Sequence, residues 1–246
     1  IINLALEGIM VFGAFIGVWF VRILQTSDAI LSLKQSGNWV ALQGVELLTM
    51  LVAAAFGALF SLLLSFASIN LRADQTIGGT ALNMLATAIA MILAKNFNGS
   101  TSAKISYTNK PFLFSIGGLE LSIFIPLGIV LLVVSYIVMY KTRFGLRLRA
   151  CGEHPQAADS VGINVYRMRY AGVLISGFLG GVGGLAYVIP SVQTWNFEVG
   201  VAGTGFLALA VMIFGQWKPF NIFGAAMFFA VFKSLANIAD STVLAQ

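Results

Sequence analysis

The sequence predicts an all-α integral membrane protein, a polytopic bundle of transmembrane helices. Hydrophobic residues make up 59% of the chain and charged residues only 9%, whereas a soluble domain carries about 25% charged residues. The mean hydropathy is +0.92, too apolar for a water-facing surface. Apolar runs near the length of about 20 residues that a helix needs to cross a bilayer recur along the chain. These runs do not alternate in polarity as the strands of a membrane barrel do. Backbone groups in lipid have no water to bond, so each segment must satisfy its own, which leaves the helix.

In order along the chain, spans are predicted at 1–20, 40–69, 76–94, 119–140, 170–189 and 220–239. The first begins at Ile1 with no initiator methionine or charged leader, so truncated termini are expected, and residues 1–246 read as a single transmembrane domain. The second is long enough for a tilted or broken helix, and Ala53, Ala54, Ala55, Gly57 and Ala58 would let a neighbour approach closely. A seventh run, 201–214, would rise only about 21 Å as a helix against a hydrocarbon core of about 30 Å. A half-helix or re-entrant segment is predicted there. In the fifth span, Ser176 to Gly184 is glycine-rich but lacks the Lys-Ser/Thr ending of a phosphate loop. Gly177 with Gly181, and Gly180 with Gly184, instead give two small-xxx-small patterns for tight packing.

Orientation follows from the loops, because cytoplasmic loops are enriched in Lys and Arg. Six of the 14 basic residues, Lys141, Arg143, Arg147, Arg149, Arg167 and Arg169, fall in 141–169, which is placed in the cytoplasm. Arg72 and Lys218 then lie on the same side. Segments 25–39, 95–118 and 190–200 lie outside, with Lys95, Lys104 and Lys110 against the rule. The net charge of +5 thus reads as membrane orientation, and no nucleic-acid partner is predicted. One cysteine, Cys151, and one histidine, His154, exclude an intramolecular disulfide and a Cys-rich metal motif. An intramembrane enzyme would need clustered His, Asp or Glu on facing helices, and the chain has no such supply.

Within the basic segment, residues 152–162 read as a short helix. Pro155 suits its first turn, and Gly162 suits the left-handed position that ends it. So short a helix is marginal alone, so it is expected to rest on something.

The run Gly145-Leu146-Arg147-Leu148-Arg149-Ala150-Cys151-Gly152-Glu153-His154-Pro155-Gln156-Ala157-Ala158, followed by Gly162-Ile163, resembles the cytoplasmic loop of permeases in the branched-chain amino acid, ribose and nucleoside ABC importer family. The resemblance implies a coupling helix that docks in a groove of an ATPase subunit through Glu153, His154, Pro155, Gln156, Ala157, Ala158 and Gly162. That family usually has asparagine at the position of His154. Asn3-Leu4-Ala5-Leu6-Glu7-Gly8 looks like the Asn-x-x-x-Glu-Gly motif of nucleoside permeases, and Gly79-Thr80-Ala81-Leu82-Asn83 is a second match. Gly203 to Pro219, with its Phe214-Gly215-Gln216-Trp217 run, follows the nucleoside subgroup, closest to guanosine-type permeases, although Thr204 departs from it.

The resemblance implies a multi-pass subunit of a bacterial cytoplasmic membrane. Its partners would be a second permease, identical or similar, ATPase subunits, and an extracytoplasmic binding protein or lipoprotein. The chain itself is expected to bind no cofactor, ATP and Mg being used by the ATPase. A nucleoside is neutral, with a flat apolar base and a hydroxylated sugar, so its path should offer aromatic faces and uncharged hydrogen-bond partners. Asn3, Glu7, Thr80, Asn83, Trp195 and Phe206 are candidates for that path. Helix-to-helix hydrogen bonds are the competing reading for Asn3, Asn83 and Glu7. Glu46 is placed near enough to the outer surface to reach water. The same machine carrying ribose, other sugars or branched-chain amino acids is the alternative, followed by an ion-coupled secondary transporter.

Overall fold

The computed structural model describes residues 3–27, 39–99, 102–107, 113–116, 119–191 and 193–243. Ile1, Ile2, Lys110 and most of the 25–39 segment lie outside them. In chain order the helices are α1 (Leu6–Gln25), α2 (Trp39–Ser65), α3 (Gln75–Asn98), α4 (Phe124–Lys141), α5 (Arg143–Glu153), α6 (Pro155–Ser160), α7 (Val165–Val188), α8 (Thr204–Phe214) and α9 (Pro219–Val243). A π-helical turn, Phe66–Asn70, continues α2. Among the described residues, six helical segments are long and apolar enough to cross a membrane, and each overlaps one of the six predicted spans.

The core is α1, α2 and α7, and glycine sets its spacing. A Cβ on Gly13 of α1 would lie 2.6 Å from the Cα of Gly181 in α7, and one on Gly57 of α2 would lie 2.6 Å from the Gly177 carbonyl. Gly180 meets Leu6 and Ile9, and Gly184 meets the Met10 carbonyl. Both small-xxx-small patterns therefore work as expected: Gly177 and Gly181 admit α2, and Gly180 and Gly184 admit α1. Lipid tails are as apolar as Leu, so close van der Waals packing rather than escape from water holds these helices. Phe15, Val18, Ala53, Leu185 and Val188 fill the space the glycines leave.

Helix α4 and the apolar span of α9 bury little within the chain. They touch through Tyr136 and Phe220, whose ring centroids are 4.9 Å apart. The fourth span corrects the expectation for 119–140. Its helix begins at Phe124, and Leu119–Ser122 forms a strand, β3, paired antiparallel with β2 (Leu113–Ile116). Pro126 explains the start, since it suits a first helical turn and no interior position.

A second antiparallel pair joins β1 (Lys104–Ser106) to β4 (Thr194–Asn196), with Ile105 opposite Trp195. This pair sits at the end of the bundle opposite the basic segment. There Lys95 pairs with Glu198 at 3.4 Å. Beside it, Tyr107 donates to the Val188 carbonyl at 2.9 Å, and burial holds its phenol well above the usual tyrosine range.

The seventh run is a half-helix, as its length predicts. From Phe197, edge-on to Phe15 at 5.2 Å, the chain runs back along α1 past Val11, which Gly200 approaches, to Glu7. Only there does α8 begin. Its 11 residues rise about 16 Å, and after Gly215 the chain turns into α9.

Candidate functional site

Two regions hold the predicted residues. The first is a polar knot at the start of α1. Asn83 of α3 accepts from the Gly8 N–H at 2.7 Å through Oδ1, and donates through Nδ2 to the Leu4 carbonyl at 2.9 Å. Asn3 donates to Ser176 Oγ of α7 at 2.9 Å, and its own Oδ1 has no partner among the described residues. Glu7 reaches across to α8: Oε1 accepts from the Gly203 N–H at 2.9 Å and Oε2 from the Gly205 N–H at 2.6 Å. Asn83 of α3, Asn3 just before α1 and Glu7 in its first turn thus tie the start of α1 to α3, α7 and α8 respectively.

Local sequence explains the knot. Gly8 and Gly79 have no side chains, so α1 and α3 cross closely enough for Asn83 to bridge them; a Cβ on Gly8 would lie 2.7 Å from the Asn83 Cα. The leading N–H groups of α8 have no partner within their own helix, and Glu7 supplies a negative charge where the helix dipole is positive. The competing structural reading of Asn3, Asn83 and Glu7 therefore describes their geometry. The other three candidates are not brought to the knot as a group. Phe206, on the first turn of α8 and half exposed, is near it. Thr80 is exposed and turns its hydroxyl back to the Thr76 and Ile77 carbonyls of its own helix. Trp195 lies at the far end in β4, edge-on to Tyr187 at 5.7 Å.

The expectation for Glu46 is overturned. Its side chain is fully buried, because Gln43, Glu46, Thr49 and Met50 recur at helical spacing on one face of α2 and all turn inward. Distance along the chain from the predicted surface was a poor guide, since the face a residue occupies decides whether it reaches water.

The second region is the basic segment. It forms two helices rather than one. Thr142 caps α5 by accepting from the Gly145 N–H at 3.1 Å, and Gly145 packs so closely on the Val138 and Met139 carbonyls that no side chain fits. Arg149 lies over the Tyr140 ring at 4.7 Å. His154 ends α5 and precedes α6, Pro155 stands at its first position, and Gly162 is left-handed at φ +81°, as the sequence predicts. Glu153, His154, Gln156, Ala157 and Gly162 are exposed, while Ala158 is buried. Val161, 74% exposed, was not singled out by sequence; its signal is an apolar residue beside the terminating glycine of a polar loop.

Between the two regions lies a cavity of about 460 Å³ whose lining runs from Asn3 and Ser176 to Arg169, Cys151 and Pro155. Nearby, Asp74 caps α3, and the N–H groups of Ile77 and Thr76 hold its carboxyl below the usual carboxylate range. Among the described residues, no group of three His, Cys, Asp or Glu side chains could hold a metal.

Among the described residues, six helices long and apolar enough to cross a membrane, a half-helix and a compact folded segment between spans four and five define a multi-pass membrane protein. The family described as branched-chain amino acid transport system / permease component matches residues 1–244, and this chain belongs to that family. It is 42% identical to the nucleoside ABC transporter permease protein NupC of Lactococcus lactis, over 97% of this chain and 74% of the relative. It is 39% identical to the guanosine ABC transporter permease protein NupQ of Bacillus subtilis, over 98% of this chain and 74% of the relative. A putative glucose ABC transporter permease protein of Haloferax volcanii, TsgC13, is 28% identical over the whole chain and 71% of the relative. No solved structure matches the chain. The chain is thus a permease subunit of an ATP-binding cassette system, a transport component and not its ATPase.

Proposed function

We propose that this subunit carries nucleosides, purine nucleosides first among them, inward across a bacterial cytoplasmic membrane. The observation that supports this reading most is the similarity, over nearly all of this chain and 74% of each relative, to two proteins named for nucleoside and guanosine transport. The chemistry agrees: Asn3, with its Oδ1 unpaired among the described residues, and Ser176 offer uncharged hydrogen-bond groups and Phe206 an apolar ring, which suit a neutral ligand, while Asn83 holds the start of α1 beside them. Thr80 and Trp195 serve the path from positions nearer its two ends.

The segment 153–162 is the coupling element. Glu153, His154, Gln156 and Ala157 present its outer face to an ATPase subunit, with Val161 as an apolar contact beside them, while Pro155 and Gly162 set its two ends and Ala158 anchors it from beneath. ATP and Mg act in the partner chain, where nucleotide-driven closure supplies the free-energy difference between pathway states. A second permease subunit completes the channel, and an extracytoplasmic binding protein or lipoprotein delivers cargo.

Uptake of labelled guanosine, ribose and branched-chain amino acids by cells with and without the subunit, with ATP intact or depleted, tests this. Guanosine uptake lost with either the subunit or ATP is expected. Ribose or amino-acid uptake lost instead reassigns the cargo, and uptake that survives ATP depletion on an ion gradient overturns the reading.

A further inference from the structure

Helix α8 is held in an unusual way. Its N-terminus lies beside Glu7, at the level of Asn83 and Ser176 part-way along α3 and α7 rather than at the ends of those helices, and the Glu7 carboxylate accepts from its leading N–H groups. Both flanks of the helix hold left-handed residues: Ala202 and Gly203 before it, at φ +54° and +74°, and Gln216 and Trp217 after it, at +50° and +62°. Left-handed backbone is uncommon outside glycine and is an outlier for a residue as bulky as Trp. Such strain gathers where two arrangements of a segment compete. Between the flanks, Phe206, Ile213 and Phe214 are 48%, 60% and 68% exposed, so one side of α8 is largely open, Phe214 alone of the three meeting a ring among the described residues, Phe229 of α9, edge-on at 5.8 Å.

We propose that Glu7 is a positioning residue for transport: its carboxylate latches α8 to α1, and release of that latch lets the half-helix swing between residues 202–203 and 216–217, redirecting Phe206. The two bonds from Gly203 and Gly205 are charge-assisted and oriented along the helix dipole. The Gly203 bond is exposed and the Gly205 bond half-buried, so both respond to water, which supplies competing donors to the carboxylate and weakens them. A pathway that hydrates on opening therefore loosens the latch, and one that closes restores it. The inference rests on the chain being a permease subunit, and guanosine enters only as a probe under the cargo reading above.

The test uses the complete importer, with its ATPases and binding protein, in proteoliposomes. With Cys151→Ala as background, Phe206→Cys serves as the reporter, labelled by a water-soluble maleimide without nucleotide and with ATP plus vanadate. With Glu7 present, the labelling rate is expected to differ between the two states. Glu7→Gln keeps the size of the side chain but offers one acceptor in place of two and turns an amide N–H toward backbone N–H groups. It should abolish the difference and raise resting labelling about tenfold, the scale of one charged hydrogen bond. Gly205→Ala approaches the contact from α8, since its Cβ would lie 2.6 Å from the Glu7 Cα, and should do the same.

With Phe206 intact, Glu7→Gln should raise the KM for labelled guanosine about tenfold while the subunits still co-purify. Labelling unchanged by Glu7→Gln overturns the latch, as does an effect of Gly205→Ala alone, which would mean packing rather than charge. Loss of assembly in both Glu7→Gln and Glu7→Asp would make Glu7 a folding residue and also overturn it. A parent importer that moves no guanosine refutes the cargo reading, and the labelling comparison still decides the latch.

Discussion

Asn83 does at residue scale what no apolar side chain could. It satisfies the Gly8 N–H and the Leu4 carbonyl at the open end of α1, groups for which lipid offers no substitute. Asn83→Leu should lower stability by about 1–3 kcal/mol, the usual cost of a buried backbone group left unpaired, read as a lower Tm of the detergent-solubilised complex. An unchanged Tm would mean those groups find other partners. Asp74 gives a pH-dependent case. Its carboxyl is held below its ordinary pKa by the Ile77 and Thr76 N–H groups, so its contribution is present above the unfolded pKa and lost as pH falls through the folded one. Asp74→Asn should therefore flatten the acid limb of a Tm-against-pH profile below about pH 4, leaving the neutral range nearly unchanged.

Under the proposed function, the pair α5 and α6 is the element on which coupling turns. Ala158 is buried against the chain and Ala157 is exposed, so replacing both confuses docking with folding. Ala157→Glu alone should sharply reduce co-purification of the ATPase while membrane insertion and Tm stay near the parent. Retention of the ATPase would count against α6 as the docking element. Gly162 stands at φ +81° with open space around its Cα, so the cost of Gly162→Val is backbone strain rather than collision. That strain, about 1–3 kcal/mol for a β-branched residue, should loosen the end of α6 and be seen as faster proteolysis at 160–163. Ala158→Leu would instead overpack the interior face and cost about 1–3 kcal/mol.

Across the whole molecule, α1, α2 and α7 form a glycine-spaced core, whereas α4 and α9 stand largely unburied by their own chain. Gly181→Leu would drive a side chain into the Ala53 carbonyl and the Ala54 backbone. Overpacking at a backbone contact costs about 1–3 kcal/mol or more, so this variant should fail to assemble, seen as loss of the monodisperse complex. Gly128 of α4 has nothing within contact range of a Cβ, and Gly128→Leu should be tolerated by the isolated chain. Tyr107 ties the far end of the bundle to α7, and Tyr107→Phe leaves the Val188 carbonyl with only the longer bond from the Ser191 N–H, at 3.3 Å.

The sequence by itself determined the class, the places of six spans with the fourth begun too early, the half-helix and the short helix of the basic segment. Lipid forces helices of a fixed length, so composition and run length suffice, and Pro155 and Gly162 mark their own positions through backbone geometry. The glycine pairs of α7 were legible for the same reason, since a missing Cβ at helical spacing has few uses. What tertiary structure alone decided was direction and partnership. Glu46 and Glu7 are both acidic residues in apolar runs, yet one turns into the core and the other meets the start of a helix almost two hundred residues later. The strand at 119–122 pairs across a hairpin that apolar content hid. Hydropathy records how much water a segment avoids, and carries no information about which backbone group stands opposite a given side chain.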